Sequence, residues 1–171
     1  RERELDEALA QVEKESAADV IYLVDSFGAL YSEQISYLAT KYKGAMPSRE
    51  IGIHAHNNQQ LAFANTIEAI IQGINYLDGT IFGIGRAAGN CPLELLLGFL
   101  KNPKFNIRPI LDILGRDFVK LREEIEWGYT IPYMITGILD LHPRAGMKLR
   151  NSEDKDEYLG FYEKLTSEAN V

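Results

Sequence analysis

The chain has 171 residues, with 18 Lys and Arg against 25 Asp and Glu, a formal charge of −7. Length alone points to one domain. The acidic balance excludes a general nucleic-acid-binding role, which needs a basic face for phosphates. A single cysteine, Cys91, excludes an internal disulfide framework and fits a reducing, cytoplasmic compartment. No apolar run approaches the roughly 18 residues of a membrane span, so no membrane role is expected. The charged start, Arg1-Glu2-Arg3-Glu4, has neither a signal peptide's apolar core nor an initiator Met, and the chain is expected to begin inside a longer one.

In chain order, residues 2–15 space Leu5, Ala8, Leu9 and Val12 on one helical face. Residues 19–24 are a strand-length apolar run rich in β-branched residues, broken by Asp25-Ser26-Phe27-Gly28. Ser32 reads as the N-cap of a helix over 33–42. A second strand, 50–56, ends in His54-Ala55-His56; Asn57-Asn58 supply turn and cap for a helix over 60–72, with Gly73 as its terminator. A third strand, 76–81, leads through the glycine-rich loop 83–90 to a helix over 93–100, with Pro92 as start signal. Asp25, His54 and Gly83 recur at 29-residue steps (25 to 54, 54 to 83), the size of a βαβ unit, which implies a parallel sheet with right-handed crossovers. After Lys104 the alternation stops: residues 109–126 and 152–167 read as helical, the last with Asp154 and Asp156 near its start, and 132–141 as a shorter apolar stretch. The expected division is a barrel-like part, 1–104, and a C-terminal helical region, 105–171.

Side chains two apart on a strand share a face, so His54 and His56 can reach one point beyond the strand's carboxyl end, where parallel α/β folds place active sites. Two neutral imidazoles suit a divalent transition metal, and a set completed by oxygen donors tolerates Mn or Mg; the alternative is two unrelated polar side chains. The loop 83–90 matches neither G-x-G-x-x-G nor a phosphate P-loop. Asn90 at its end can face a metal or serve as an ordinary helix cap. Ser26 can hydrogen-bond a substrate carboxylate and Asp25 can orient neighbours, or both can be turn residues. Cys91 reads as a buried small side chain, His142 as a surface or capping residue, and Tyr129 and Tyr133 as core aromatics.

Three strand ends together carry a signature: Asp25-Ser26-x-Gly28-Ala29-Leu30, then Ile51-Gly-Ile-His54-Ala-His56-Asn-Asn58 with Leu61-Ala-x-Ala-Asn65, then Gly83-x-Gly85-x-x-x-Gly89-Asn90-x-Pro92-Leu-Glu94. This resembles the last three βα units of the divalent-metal aldolase and lyase superfamily, 3-hydroxy-3-methylglutaryl-CoA lyase-like TIM barrels, and within it the 4-hydroxy-2-oxovalerate aldolases; the synthases usually carry Asp where this chain has Asn58. The resemblance implies an α/β fold, the C-terminal portion of a (β/α)8 barrel followed by helices. It implies His54 and His56 as metal ligands, Asn90 as a ligand or neighbour of the metal, and Ser26, His54 and Tyr133 as substrate contacts. The implied metal is Mn2+, with Mg2+, Co2+ or Zn2+ as alternatives.

The implied reaction cleaves a 4-hydroxy-2-oxo acid to pyruvate and an aldehyde, a step of aromatic hydrocarbon catabolism, with an aldehyde dehydrogenase as a partner of the full-length enzyme. The family's first strand carries an Arg-Asp pair, the enolate-stabilising Arg and a third ligand; no such strand is present here, so no catalytic residue is assigned and the chain alone is expected to be inactive. Its partners are then the missing barrel half or a second copy, through an open strand edge. Two other readings remain: a Claisen-type enzyme condensing an acyl-CoA with a 2-oxo acid, and a non-catalytic half-barrel assembly module.

Overall fold

A computed structural model describes residues 2–169. Three βα units follow the first helix. The order is α1 (Glu2–Glu15), β1 (Val20–Asp25), α2 (Ser32–Ala45), β2 (Glu50–Ala55), α3 (Ala62–Ile71), β3 (Tyr76–Leu77) and α4 (Leu93–Leu100). The strands form one parallel sheet in the order β1-β2-β3, with Val24 opposite His54 and Ile53 opposite Leu77.

Alternation along the strands divides the sheet into two unlike faces. Leu23, Ile51 and Ile53 point to the helices and join Leu9, Ile35, Ala39, Ala69, Ile74 and Leu96 in the core. Each such fully buried Leu or Ile contributes about 1.5–3 kcal/mol through area removed from water. On the opposite face, Val24 and Tyr76 remain over 40% exposed (44% and 43%). The Tyr22 ring lies across Gly52, where a Cβ would collide with it. A sheet with all its helices on one side is the arrangement of a (β/α)8 barrel segment, whose bare face is the barrel interior. Polar side chains stitch the helical layer: Lys41 pairs with Asp6 at 2.6 Å, and the Arg49 guanidinium donates to the carbonyls of Glu13, Ser16 and Ala18 at the end of α1.

The C-terminal region comprises α5 (Arg108–Ile113), α6 (Val119–Glu124), α7 (Ile131–Ile138), α8 (Arg144–Arg150) and α9 (Tyr158–Ala169). It docks on the glycine-rich loop: Trp127 Nε1 donates to the Phe82 carbonyl at 2.8 Å, and Gly128 N donates to the Ala87 carbonyl.

Several boundaries differ from the sequence reading. Ser32 is the first helical residue and not the cap; Tyr31 is the cap, its N–H donating to Gln34 Oε1. Helix α3 begins two residues late because Gln60 has φ of 61°. Strand β3 has two residues instead of six, since Ile81–Gly83 turns as a 3-10 helix. The helix expected over 109–126 is interrupted by a π-helical stretch at Leu114–Phe118. Helix α8 was not foreseen. Asp154 and Asp156 lie in the turns before α9, and Tyr129 is 53% exposed, so it is not a core aromatic.

Candidate metal centre

The three strand ends converge at the carboxyl edge of the sheet. His54 Nδ1 lies 3.0 Å from Asp78 Oδ2, one residue past β3. His56 Nδ1 lies 2.8 Å from the backbone carbonyl of Asp25 at the end of β1. Both partners are acceptors, so each Nδ1 carries a proton and donates; in a neutral ring this leaves Nε2 with its lone pair. The rings stand edge to face with centroids 4.9 Å apart. A ligating histidine is held in this way, its other nitrogen tied to a carboxylate or carbonyl. Burial pushes the His56 pKa below its ordinary value, opposed by the hydrogen bond to the Asp25 carbonyl.

Asn90 reaches the same place through a bridge between its backbone and that of His56. Its Nδ2 donates to the Ile84 carbonyl at 3.2 Å, while its Oδ1 is buried without a hydrogen-bond partner. An orphaned buried oxygen is costly, on the order of 1–3 kcal/mol, unless something else satisfies it. Two imidazole nitrogens and one amide oxygen fit a divalent cation of the Mn, Co or Zn kind, with water or substrate oxygens completing the sphere. No group of three His, Cys, Asp or Glu side chains suited to a metal occurs among the described residues; this donor set depends on the asparagine.

The loop that carries Asn90 is tightly determined. Asn57 N donates to the Gly89 carbonyl at 2.8 Å and Asn90 N to the Gly83 carbonyl at 3.0 Å. Gly89 has φ of 84°, and a Cβ there would collide with the Gly83 carbonyl oxygen, so glycine is required on both counts. Asn58, buried, donates to the Phe27 carbonyl and accepts from Ala88 N; it ties the first turn to the third.

Asp25 serves the site with its backbone. Its buried carboxylate accepts from the N–H groups of Ala29 and Leu30 at 3.0 and 3.3 Å, and burial raises its pKa. Ser26, exposed, follows directly in the turn after β1, whose last pair sets Asp25 opposite Ala55. Tyr133 packs on Ala87 and Ala88 of the loop; its hydroxyl accepts from Arg150 Nη1 at 3.3 Å and burial raises its pKa. Cys91 is fully buried. His142 Nδ1 accepts from Arg144 N, capping α8, and its ring meets Phe27 edge-on.

Sequence reasoning missed Asp78 and Trp127. Asp78 had a signal, an acidic residue at the end of a strand beside the histidine strand. Trp127 had none, since its contact with Phe82 spans 45 residues.

A family model described as HMGL-like matches residues 2–114. Among curated relatives, the 4-hydroxy-2-oxovalerate aldolase of Thermus thermophilus is 42% identical over 96 residues, 56% of this chain and 27% of the relative. The oxaloacetate decarboxylase of Mycobacterium tuberculosis is 40% identical over 82 residues, 48% of this chain and 24% of the relative. The matched region thus spans about a quarter of these relatives' length. Among solved structures, the N-terminal domain of a candidate aldolase from Bacteroides vulgatus superposes with a TM-score of 0.74 at 33% identity, covering 84% of this chain and 48% of that one. The carboxyl transferase domain of Rhizobium etli pyruvate carboxylase gives 0.68 at 16% identity, covering 98% and 28%, a likeness of fold alone.

Proposed function

The chain belongs to the HMGL-like family, and from that premise we propose that it carries the metal-binding part of an aldolase-type lyase that cleaves a 4-hydroxy-2-oxo acid to pyruvate and an aldehyde. The observation that supports this most is the pair of imidazoles with both Nδ1 atoms tied down, beside the orphaned Asn90 Oδ1. His54, His56 and Asn90 would hold the divalent metal, Mn2+ in this reading. When bound, the metal supplies Lewis-acid polarisation of the 2-oxo group. Ser26 hydrogen-bonds the acid's carboxylate from the first strand end. Asp78 and the Asp25 carbonyl keep the imidazoles in one tautomer and orientation. Tyr133 braces the loop that presents Asn90 and approaches the substrate from α7.

The Arg-Asp strand that the family resemblance implies has no counterpart among the described residues, so turnover is expected only where a further barrel segment completes the site. The relatives' names favour a second reading on the same site, decarboxylation of a β-oxo acid, because one relative is named oxaloacetate decarboxylase.

The test is pyruvate release from 4-hydroxy-2-oxovalerate by the Mn2+-loaded full-length protein, followed with a lactate dehydrogenase couple. Chelation and His56→Ala should each abolish it. Release that survives both would refute the reading. Pyruvate from oxaloacetate alone would select the decarboxylase, and free CoA from acetyl-CoA with a 2-oxo acid would select the condensing enzyme. These 171 residues turning over unaided would refute the need for a further segment.

A further inference from the structure

The loop between β3 and α4 presents a cation that the proposed metal site does not use. Arg86 opens a tight turn closed by Gly89 N donating to its carbonyl at 2.9 Å. Every residue that follows it is fixed: Ala87 O accepts from Gly128 N, Ala88 N donates to Asn58 Oδ1, and Gly89 O accepts from Asn57 N. Gly85, on its other side, lies against the Asn90 side chain, where a Cβ would meet Nδ2 at 2.8 Å. Arg86 is therefore an exposed side chain on a hydrogen-bonded loop, one residue from the contact with Asn90.

Its guanidinium makes no hydrogen bond or ion pair among the described residues, unlike Arg3, Arg49, Arg116 and Arg150. Its positive charge is felt at His56 and at His142. Arg144, whose N–H donates to His142 Nδ1, extends the positive strip along α8. In a chain of net charge −7, an unpaired cation beside the site concentrates anions there.

We propose that Arg86 is a substrate-binding residue that receives a second anionic group, so that the acid bound at His54 and His56 is a dianion whose remote carboxylate or phosphate points toward His142. This rests on the 2-oxo acid reading above and narrows its substrate class. The first carboxylate is met at the strand ends; the second lies on the His142 side of His56. A guanidinium offers a planar fork matched to two oxygens of a carboxylate or phosphate. Because the loop is ordered beforehand, only the side chain loses freedom on binding.

The test is calorimetric binding of 2-oxoglutarate and 2-oxopentanoate, equal in length and differing in the second carboxylate, to the Mn2+-loaded protein at physiological salt. The dianion is expected to bind about tenfold more tightly, equivalent to about 1.4 kcal/mol. Arg86→Gln should bring the ratio to about one while leaving 2-oxopentanoate unchanged, and Arg86→Lys should keep part of the preference. Equal binding of both acids by the wild type, equal weakening of both by Arg86→Gln, or binding of neither acid would each overturn the proposal. Selective binding of the dianion without cleavage of any 4-hydroxy-2-oxo acid by the full-length protein would uphold Arg86 as the receptor and refute the aldolase reading, so the two failures are distinguishable.

Discussion

Asp78 gives the sharpest check on the metal centre, because it touches only one imidazole. Its carboxylate accepts from His54 Nδ1 at 3.0 Å, with the His54 side chain 28% and the Asp78 side chain 45% exposed. Two effects are combined in that contact. The hydrogen bond orients the ring and fixes the proton on Nδ1, and the negative charge raises the basicity of Nε2. Asp78→Asn keeps an acceptor oxygen and removes the charge; Asp78→Ala removes both. Loss of such a partner costs about 10–100-fold in metal affinity, and the exposure of Asp78 sets the expectation at the lower end, since solvent screens the charge. We predict that Asp78→Ala weakens Mn2+ or Co2+ binding about tenfold, equivalent to about 1.4 kcal/mol, and that Asp78→Asn weakens it about threefold. Calorimetric titration of each metal into the protein measures both. Thermal melting should place all variants within about 1 kcal/mol of the parent, as expected for a half-exposed residue. If Asp78→Ala binds metal as tightly as the parent while His54→Ala does not, the contact orients nothing and the tautomer argument fails.

Four further outcomes follow from the same geometry. Asn90→Ala should weaken metal binding with little loss of stability, whereas Asn90→Asp should tighten it by adding a charged oxygen to two imidazoles; equal affinities for the two variants in a Co2+ titration would remove Asn90 from the donor set. Gly89→Ala should destabilise by more than about 2 kcal/mol, because it combines a positive φ with a backbone clash, and a melting temperature equal to the parent's would contradict the loop geometry. Trp127→Phe should cost about 1 kcal/mol through the lost bond to the Phe82 carbonyl and make the loop 83–90 more open to limited proteolysis; a loop as protected as the parent's would refute its role as a brace. Asp25→Ala should cost about 2–3 kcal/mol by stranding the N–H groups of Ala29 and Leu30, and an unchanged chemical-denaturation midpoint would count against it.

What was legible in the sequence was what local periodicity encodes. The β-branched run before Asp25 and the alternation of Ile51, Ile53 and Ala55 into the core determine the strands, and with them the shared face of His54 and His56. The third strand was read too long because bonding to β2 stops with Asp78 N donating to the Ile53 carbonyl; Thr80 N donates instead to the Cys91 carbonyl, outside the sheet. Helix α8 was hidden because its sequence, Arg144–Arg150, has no apolar stripe of its own. It forms because Gly146 allows close approach to the Pro132 carbonyl and Tyr133 ring and because His142 caps it. Such contacts across the chain are invisible to spacing. The same holds for the brace between Trp127 and Phe82, where Arg122 stacks 4.9 Å over the Phe82 ring.

Asn58 shows how one position bears on both fold and chemistry. Its amide works in opposite senses: Nδ2 donates to the Phe27 carbonyl at 2.7 Å and Oδ1 accepts from Ala88 N at 3.3 Å. The β1 turn and the glycine-rich loop are thereby held at a fixed separation, with His56 and Asn90 bridged between them. A carboxylate at position 58 would face the Phe27 carbonyl with no proton to offer, at 2% exposure, and two acceptors in contact without a donor repel. A chain with Asp at that position must therefore place the first turn differently, or bring a cation or a further donor to it. The first turn carries Ser26 and, through the Asp25 carbonyl, the orientation of His56. The choice of Asn over Asp at position 58 thus bears on how His56, Asn90 and Ser26 are spaced, although the side chain hydrogen-bonds none of them.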